Sequence, residues 1–302
     1  MPPTPLSPVS SLRRRRVARL GLVPLAVALT AGSLGLAGAG APASAAPAGG
    51  PTRTNASALP FGSGSMGWRS EVRLNASGAQ ARYSYADNAR TALRRAPSGV
   101  KGMDVSSWQG RVNWSNWRSA GMRFAYVKAT EGSSYRNPYF SSQYTGAAAA
   151  GMLRGAYHFA VPNRSSGVTQ ANYFVNRGGG WTADGRTLPG VLDIEYNPYG
   201  ATCYGKSKAA MVTWIRSFVV QYKKRTGRDA VIYTTADWWS RCTGNSTAFN
   251  RTNPLWVARY SSSVGTLPGK WPFYTFWQYS SSPIDQNVFS ASASRLGLLA
   301  RG

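Results

Sequence analysis

From Val100 onward, short apolar runs alternate with stretches whose apolar residues recur every three or four positions. The first kind reads as strand and the second as helix. Predicted strands cover Gly102–Ser106, Phe124–Gly132, Leu153–Val161, Gly190–Tyr196 and Ala230–Thr234. Between them fall a short helix entered at Asn113–Trp117, a helix over Pro138–Ala150 capped by Asn137, one over Val168–Arg177, and a long one over Ser207–Arg225. Proline suits the first helical turn and glycine the residue past the last, which is where Pro138, Gly151, Gly178 and Gly227 stand. In the long helix Met211, Trp214, Ile215, Phe218, Val219 and Tyr222 make one apolar face. A loop follows the fifth strand and holds Trp238, Trp239 and Cys242. Three further strands, Leu255–Tyr260, Phe273–Tyr279 and Ile284–Phe289, then come with no long helix between them. Five βα units followed by three strands with little helix predict an α/β fold, a modified TIM-like barrel.

The chain before Val100 is of a different kind. Arg13–Arg16 and Arg19 precede the apolar stretch Leu20–Leu36, which ends at Ala43-Ser44-Ala45, a small-residue cleavage signal. Residues 1–45 therefore read as a secretory signal peptide, and the mature protein is expected outside the cell, without a membrane span. Gly32 and Gly35 interrupt the apolar stretch and weaken it as a retained membrane helix. Residues 46–98 are poor in aliphatics and rich in Ala, Ser, Gly, Asn and Arg, which predicts a weakly ordered linker or pro-segment. Trp68, Tyr83 and Tyr85 are aromatics that could dock such an arm. Residues 99–302 form the domain, large enough for one core.

Charge and cysteines narrow the setting. The formal charge is +25, and from Lys101 to Gly302 it is 23 − 8 = +15. Such a surface attracts polyanions. For an exported protein the anionic polymers of a cell wall are the expected partners; nucleic acid is not, since no base-reading motif is present. Cys203 and Cys242 are the only cysteines, which in an exported chain predicts a disulfide. One histidine, His158, cannot build a zinc cluster, so neither a metal nor a cofactor is expected. A packed structural role suits it better than catalysis.

The scarce acids carry the chemistry. Asp193 and Glu195 lie two apart in Val191-Leu192-Asp193-Ile194-Glu195-Tyr196. In a strand both point to one face, roughly 6.6 Å apart at Cα, with Leu192 and Ile194 on the other. Two carboxyls that close should have their pKa values driven apart, as acid/base hydrolysis requires. Asp104, Glu131 and Asp285 fall in or at the ends of other predicted strands. A barrel could bring all five to one mouth.

Several motifs, in order, are similar to those of family 25 glycoside hydrolases, the Ch-type lysozymes. They are Gly102-Met103-Asp104-Val105-Ser106-Ser107-Trp108-Gln109-Gly110, Lys128-Ala129-Thr130-Glu131-Gly132, Gly155-Ala156-Tyr157-His158-Phe159, Leu192-Asp193-Ile194-Glu195, and Trp277-Gln278-Tyr279 with Ile284-Asp285-Gln286-Asn287. The resemblance spans nearly the whole domain and leaves residues 46–98 outside. It implies a secreted N-acetylmuramidase that cleaves peptidoglycan after N-acetylmuramic acid with retention. Glu195 would be the general acid and Asp193 its partner, while Asp104 and Asp285 would orient the sugar or tune the pair. Tyr157, Gln278, Trp277 and Glu131 would line the substrate groove. Glu195 should carry the raised pKa, beside an ionised Asp193. Asp193 could attack the sugar itself or steady a cation formed by the substrate's acetamido group, and the second route is favoured. A monomer is expected. Trp108, Trp277, Trp238 and Trp239 could stack sugars or fill the core. Asp184, Asp229 and Asp237 match no motif and read as surface or turn residues. Two alternatives are a non-catalytic wall-binding module and a chitinase-like hydrolase. The second needs acids where Leu188 and Val191 stand.

Overall fold

The computed structural model describes residues 59–67 and 96–302, all within one compact unit, Asn55–Gly302. The expected signal peptide at 1–45 and most of the linker, with Trp68, Tyr83 and Tyr85, lie outside the described residues. No helix among the described residues is long and apolar enough to cross a membrane.

Strands β1 (Val100–Val105), β2 (Phe124–Glu131), β3 (Tyr135–Arg136), β4 (Leu153–Phe159), β5 (Val191–Asp193), β6 (Val231–Thr234), β7 (Leu255–Ala258), β8 (Phe276–Ser280) and β9 (Gln286–Phe289) form one sheet. Its order is β1-β9-β8-β7-β6-β5-β4-β2-β3, and β1 also pairs with β2, which closes a barrel of eight strands with β3 appended. Helices α1 (Trp114–Ser119), α2 (Phe140–Ala149), α3 (Gly167–Phe174), α4 (Lys208–Thr226) and α5 (Ala236–Thr243) follow β1, β2–β3, β4, β5 and β6 in turn. This is the expected run of five βα units and three nearly bare strands. Strands β1 to β8 of the barrel wall run parallel, but β9 is antiparallel to both β8 and β1. The connection 281–285 explains why. It is too short for a parallel crossover, which takes a dozen residues or more, so the chain turns back as a hairpin.

Each strand buries two faces. Leu192, Ile194, Val127 and Val257 join Trp214, Ile215, Phe218 and Phe174 in the layer between strands and helices. Val191, Phe124, Tyr126, Tyr233, Trp256, Phe276 and Phe289 fill the interior. Ring centroids there stand 4.9 Å apart for Tyr126–Trp256 and 5.2 Å for Phe124–Phe276, so the lower barrel is solid. Polar side chains appear only toward the C-terminal ends of the strands. Helix α4 buries the six residues its spacing predicts, with Ser207 capping its start and Gly227 its left-handed end.

Several local features differ from expectation. Helix α2 begins at Phe140 and not Pro138: Asn137 Oδ1 accepts from Tyr139 N at 2.9 Å, which holds the preceding residues in a turn. The segment with Trp238 and Trp239 is helix α5, not a loop, started by Thr235 accepting from Trp238 N and ended by Gly244. Both tryptophans are fully buried, so they are core and do not stack sugars. A terminal helix, α6 (Ala293–Arg301), lays Leu296 and Ala300 against the interior cluster that contains Val100 and Leu153. Cys203 and Cys242 form the expected disulfide, Cα atoms 5.3 Å apart, which ties the loop after β5 to α5.

Candidate active site

The strand pattern delivers Asp104, Asp193 and Glu195 to the interior face at the barrel's C-terminal mouth, where they are 1 %, 0 % and 1 % exposed. Strand β5 ends at Asp193, earlier than the predicted Tyr196, because its partner β4 ends at Phe159. The path nevertheless stays extended: Ile194 N donates to Tyr233 O at 3.0 Å, and Ala160 N to Asp193 O at 2.9 Å. Asp285 comes from the other direction. Because β9 is antiparallel, the residue before its first strand position is at the mouth, and Asp104 N donates to Asp285 O at 3.3 Å.

Asp104 is held by two amides, Gln278 Nε2 at 3.0 Å and Asn287 Nδ2 at 2.6 Å. Both amides are themselves fixed. Gln278 Oε1 accepts from the Tyr233 hydroxyl at 2.7 Å and the Tyr260 hydroxyl at 2.8 Å, and Asn287 Oδ1 from Trp256 Nε1 at 3.1 Å. Gln278, expected to line the substrate groove, therefore has both ends of its amide engaged and acts on Asp104. Trp277 is a correction. It is one strand position from Gln278 and so faces the outer layer, where its Nε1 donates to Arg259 O at 2.8 Å. Tyr157 does face the interior, fully buried.

Glu131 reaches the mouth through an irregularity. Lys128 and Glu131 are three apart and would point oppositely in a regular strand. A bulge between Lys128 and Thr130 restores them to one side. They form a fully buried ion pair, Nζ to Oε2 at 2.6 Å. The Tyr199 hydroxyl donates a short hydrogen bond to Glu131 Oε1.

Asp193 stands apart electrostatically. Neither of its carboxyl oxygens has a hydrogen-bond partner among the described residues. Burial first, then the neighbouring Glu195, hold its pKa well above the usual carboxylate range; Asp104 and Glu131 add to this and Lys128 opposes it. In this closed mouth Asp193 favours its proton, where the expectation had it ionised beside Glu195. The Tyr204 hydroxyl is also pushed well up, by burial and then by Asp193 and Glu195.

His158 behaves as a core residue. It lies between Thr130 Oγ1 at 2.8 Å and Gln170 Oε1 at 3.0 Å, stacked on Phe218, and burial lowers its pKa to about 3. Asp184, Asp229 and Asp237 are ion-paired outside the mouth with Arg154, Lys223 and Arg241. Trp108 is 51 % exposed at the rim. Sequence reasoning missed Lys128, Tyr199, Tyr204, Tyr233, Tyr260 and Asn287 as parts of the site. Lys128 and Asn287 stood inside motifs whose acids drew the attention, and the four tyrosines carry no local signal at all. An open groove of about 480 Å³, lined by Gly99, Val100, Arg123 and Leu153 among others, lies at the opposite end of the barrel, far from these acids.

An α/β barrel that gathers carboxyls and fixed amides at the C-terminal ends of its strands is the framework of a glycoside-cleaving enzyme. The sequence profile described as "Glycosyl hydrolases family 25" matches residues 103–288, and the chain belongs to that family of glycoside hydrolases. It is 56 % identical over 211 residues to Lysozyme M1 of Streptomyces globisporus, spanning 67 % of this chain and 72 % of that one. It is 50 % identical over 210 residues to the N,O-diacetylmuramidase of Chalaropsis sp, spanning 67 % of this chain and 100 % of that protein. A solved family GH25 lysozyme from Aspergillus fumigatus superposes with a TM-score of 0.67 at 51 % identity, covering 68 % of this chain and 100 % of that one. The matched two thirds of the present chain spans the whole of the last two of these proteins.

Proposed function

We propose that the chain is a lysozyme that hydrolyses the β-1,4 bond from N-acetylmuramic acid to N-acetylglucosamine in peptidoglycan, with retention of configuration. The observation that carries this reading is the gathering of Asp104, Asp193, Glu195 and the Asp285 backbone at one barrel mouth. The names of the relatives, a lysozyme and an N,O-diacetylmuramidase, agree with it.

In this reading Glu195 gives its proton to the glycosidic oxygen as the bond from C1 breaks. The acetamido oxygen of the muramyl sugar attacks C1 from the other face and forms a cyclic oxazolinium ion. Asp193, as carboxylate, stabilises that cation. Glu195, now ionised, takes a proton from water, whose oxygen opens the ring at C1 and restores both the acetamide and the anomeric configuration. Asp193 can do this only once water reaches it, since the closed mouth favours its protonated form. Asp104, clamped by Gln278 and Asn287, and Asp285 position the sugar, with Tyr157 and Glu131 along the groove. The protein is exported after removal of residues 1–45, and its positive charge draws it to anionic wall polymers.

The test uses the barrel alone, residues 97–302, with purified peptidoglycan. New reducing ends are trapped by borohydride and identified. Reduced muramic acid is expected; reduced glucosamine, or no new ends, would sink the assignment.

A further inference from the structure

Residues 59–67 lie inside the site just described, although the family match begins only at residue 103. Pro60 to Ser63 form a turn, Ser63 N donating to Pro60 O at 3.1 Å, with Phe61 5.6 Å from the Tyr199 ring and 4.3 Å below the Arg164 guanidinium. Gly62 N donates to Glu131 Oε1 at 3.2 Å and to the Tyr199 hydroxyl at 3.1 Å, and Gly64 N donates to the same hydroxyl at 3.1 Å. Lys128 Nζ donates to both Gly62 O and Gly64 O. At the rim, Trp108 Nε1 donates to Ser63 O at 3.2 Å. Met66 is fully buried in the cluster that holds Tyr157 and Tyr233. The segment ends with Gly67 N on Glu195 Oε1 at 2.8 Å.

Its composition fits this course. A Cβ on Gly62 would stand 2.3 Å from the Tyr135 ring, on Gly64 2.5 Å from Phe159, and on Gly67 2.0 Å from the Tyr260 hydroxyl. Gly62 and Gly67 also have positive φ, +100° and +70°. A glycine-serine sequence that reads as a solvated linker is here the one kind of backbone thin enough to enter. A sugar chain needs the same space. The carboxyl that should meet the glycosidic oxygen instead accepts a backbone amide, and the acids around it are sealed from solvent.

Resting on the lysozyme reading, we propose that residues 59–67 are an autoinhibitory plug: the chain is made as a zymogen whose own N-terminal stretch fills the substrate groove. It becomes active when the connection to the barrel is cut or the segment is drawn out. Six arginines, Arg69, Arg73, Arg82, Arg90, Arg94 and Arg95, stand between Gly67 and the barrel and suit a trypsin-like protease. Covalent tethering gives the plug a high effective concentration, which a cut abolishes.

The experiment compares three proteins on soluble peptidoglycan fragments: the full-length chain, the full-length chain carrying Gly64→Val with Gly67→Val, and the barrel of residues 97–302. Met66→Asp serves as a second, independent way to expel the segment. Amide hydrogen exchange at Gly62, Gly64 and Gly67 is measured in the full-length chain alongside. The proposal expects the barrel and both expelled variants to turn over at least tenfold faster than the full-length chain, with the three amides protected only in the latter. An active full-length chain matching the barrel and the variants would overturn it. Should no form release reducing ends, the lysozyme reading fails and the exchange decides the plug alone: protection upholds it as the occupant of the groove, and exchange at free-peptide rates rejects it.

Discussion

Replacing Cys203 and Cys242 together by alanine removes a cross-link between residues 39 apart. In the chain-entropy description a closed loop of that size lowers the entropy of the unfolded chain by about 13 cal/mol/K, or about 4 kcal/mol at 25 °C. For a domain of about 200 residues each kcal/mol moves the melting temperature by about 2–4 °C, so the variant should melt about 8–16 °C below the parent. Packing adds a smaller loss in the same direction, because Cys242 sits in the main core and alanine leaves the sulfur's volume unfilled. The bond also clamps the loop that carries Tyr199, which holds Glu131 and two amides of the 59–67 segment. Scanning calorimetry on the barrel, with and without reductant, measures the effect, and reduced parent should coincide with the variant. A fall under about 3 °C would refute the reasoning: the loop from β5 to α5 would then be restrained in the unfolded chain by something other than the cross-link.

Two further outcomes follow from the acids. Glu195→Gln in the barrel should lower kcat by at least about 10²-fold, the scale of general acid catalysis, while binding of saccharide fragments changes little; turnover near the parent rate would remove Glu195 from that role. Asp193→Asn in the full-length chain tests the direction of its shift. A carboxyl raised on folding binds its proton more tightly when folded, so its stabilising share is complete below the unfolded value of about 4 and declines as pH rises through the folded one. Urea midpoints from pH 4 to 8 should therefore favour the variant increasingly with pH, and a parent–variant gap that does not vary with pH would contradict the assignment. Glu195, Asp104, Glu131 and Lys128 are the charged groups that set this shift, so all four must be intact in the comparison.

Local pattern alone placed the strands and the long helix well, because period-two and helical spacing reflect which side chains each element must bury. Helix α4 buries the six residues its spacing names, and Asp193 faces inward with Val191 while Leu192 and Ile194 face the helices. Ordered motifs identified the family, and an even cysteine count paired Cys203 with Cys242. Other features depend on partners distant in the chain. That Gln278 also fixes Asp104 depends on Tyr233 and Tyr260, which hold the other end of its amide. Trp277 looks like a sugar platform until strand parity turns it outward. Lys128 and Glu131 share the mouth only because a bulge resets the register. Burial, which no single residue encodes, raises the Asp193 carboxyl in the closed mouth. The glycines at 62, 64 and 67 show the division most clearly. Read as sequence, they signal a chain too poor in apolar groups to order itself; set in the mouth of the barrel, the same lack of side chains lets the backbone reach Glu131 and Glu195.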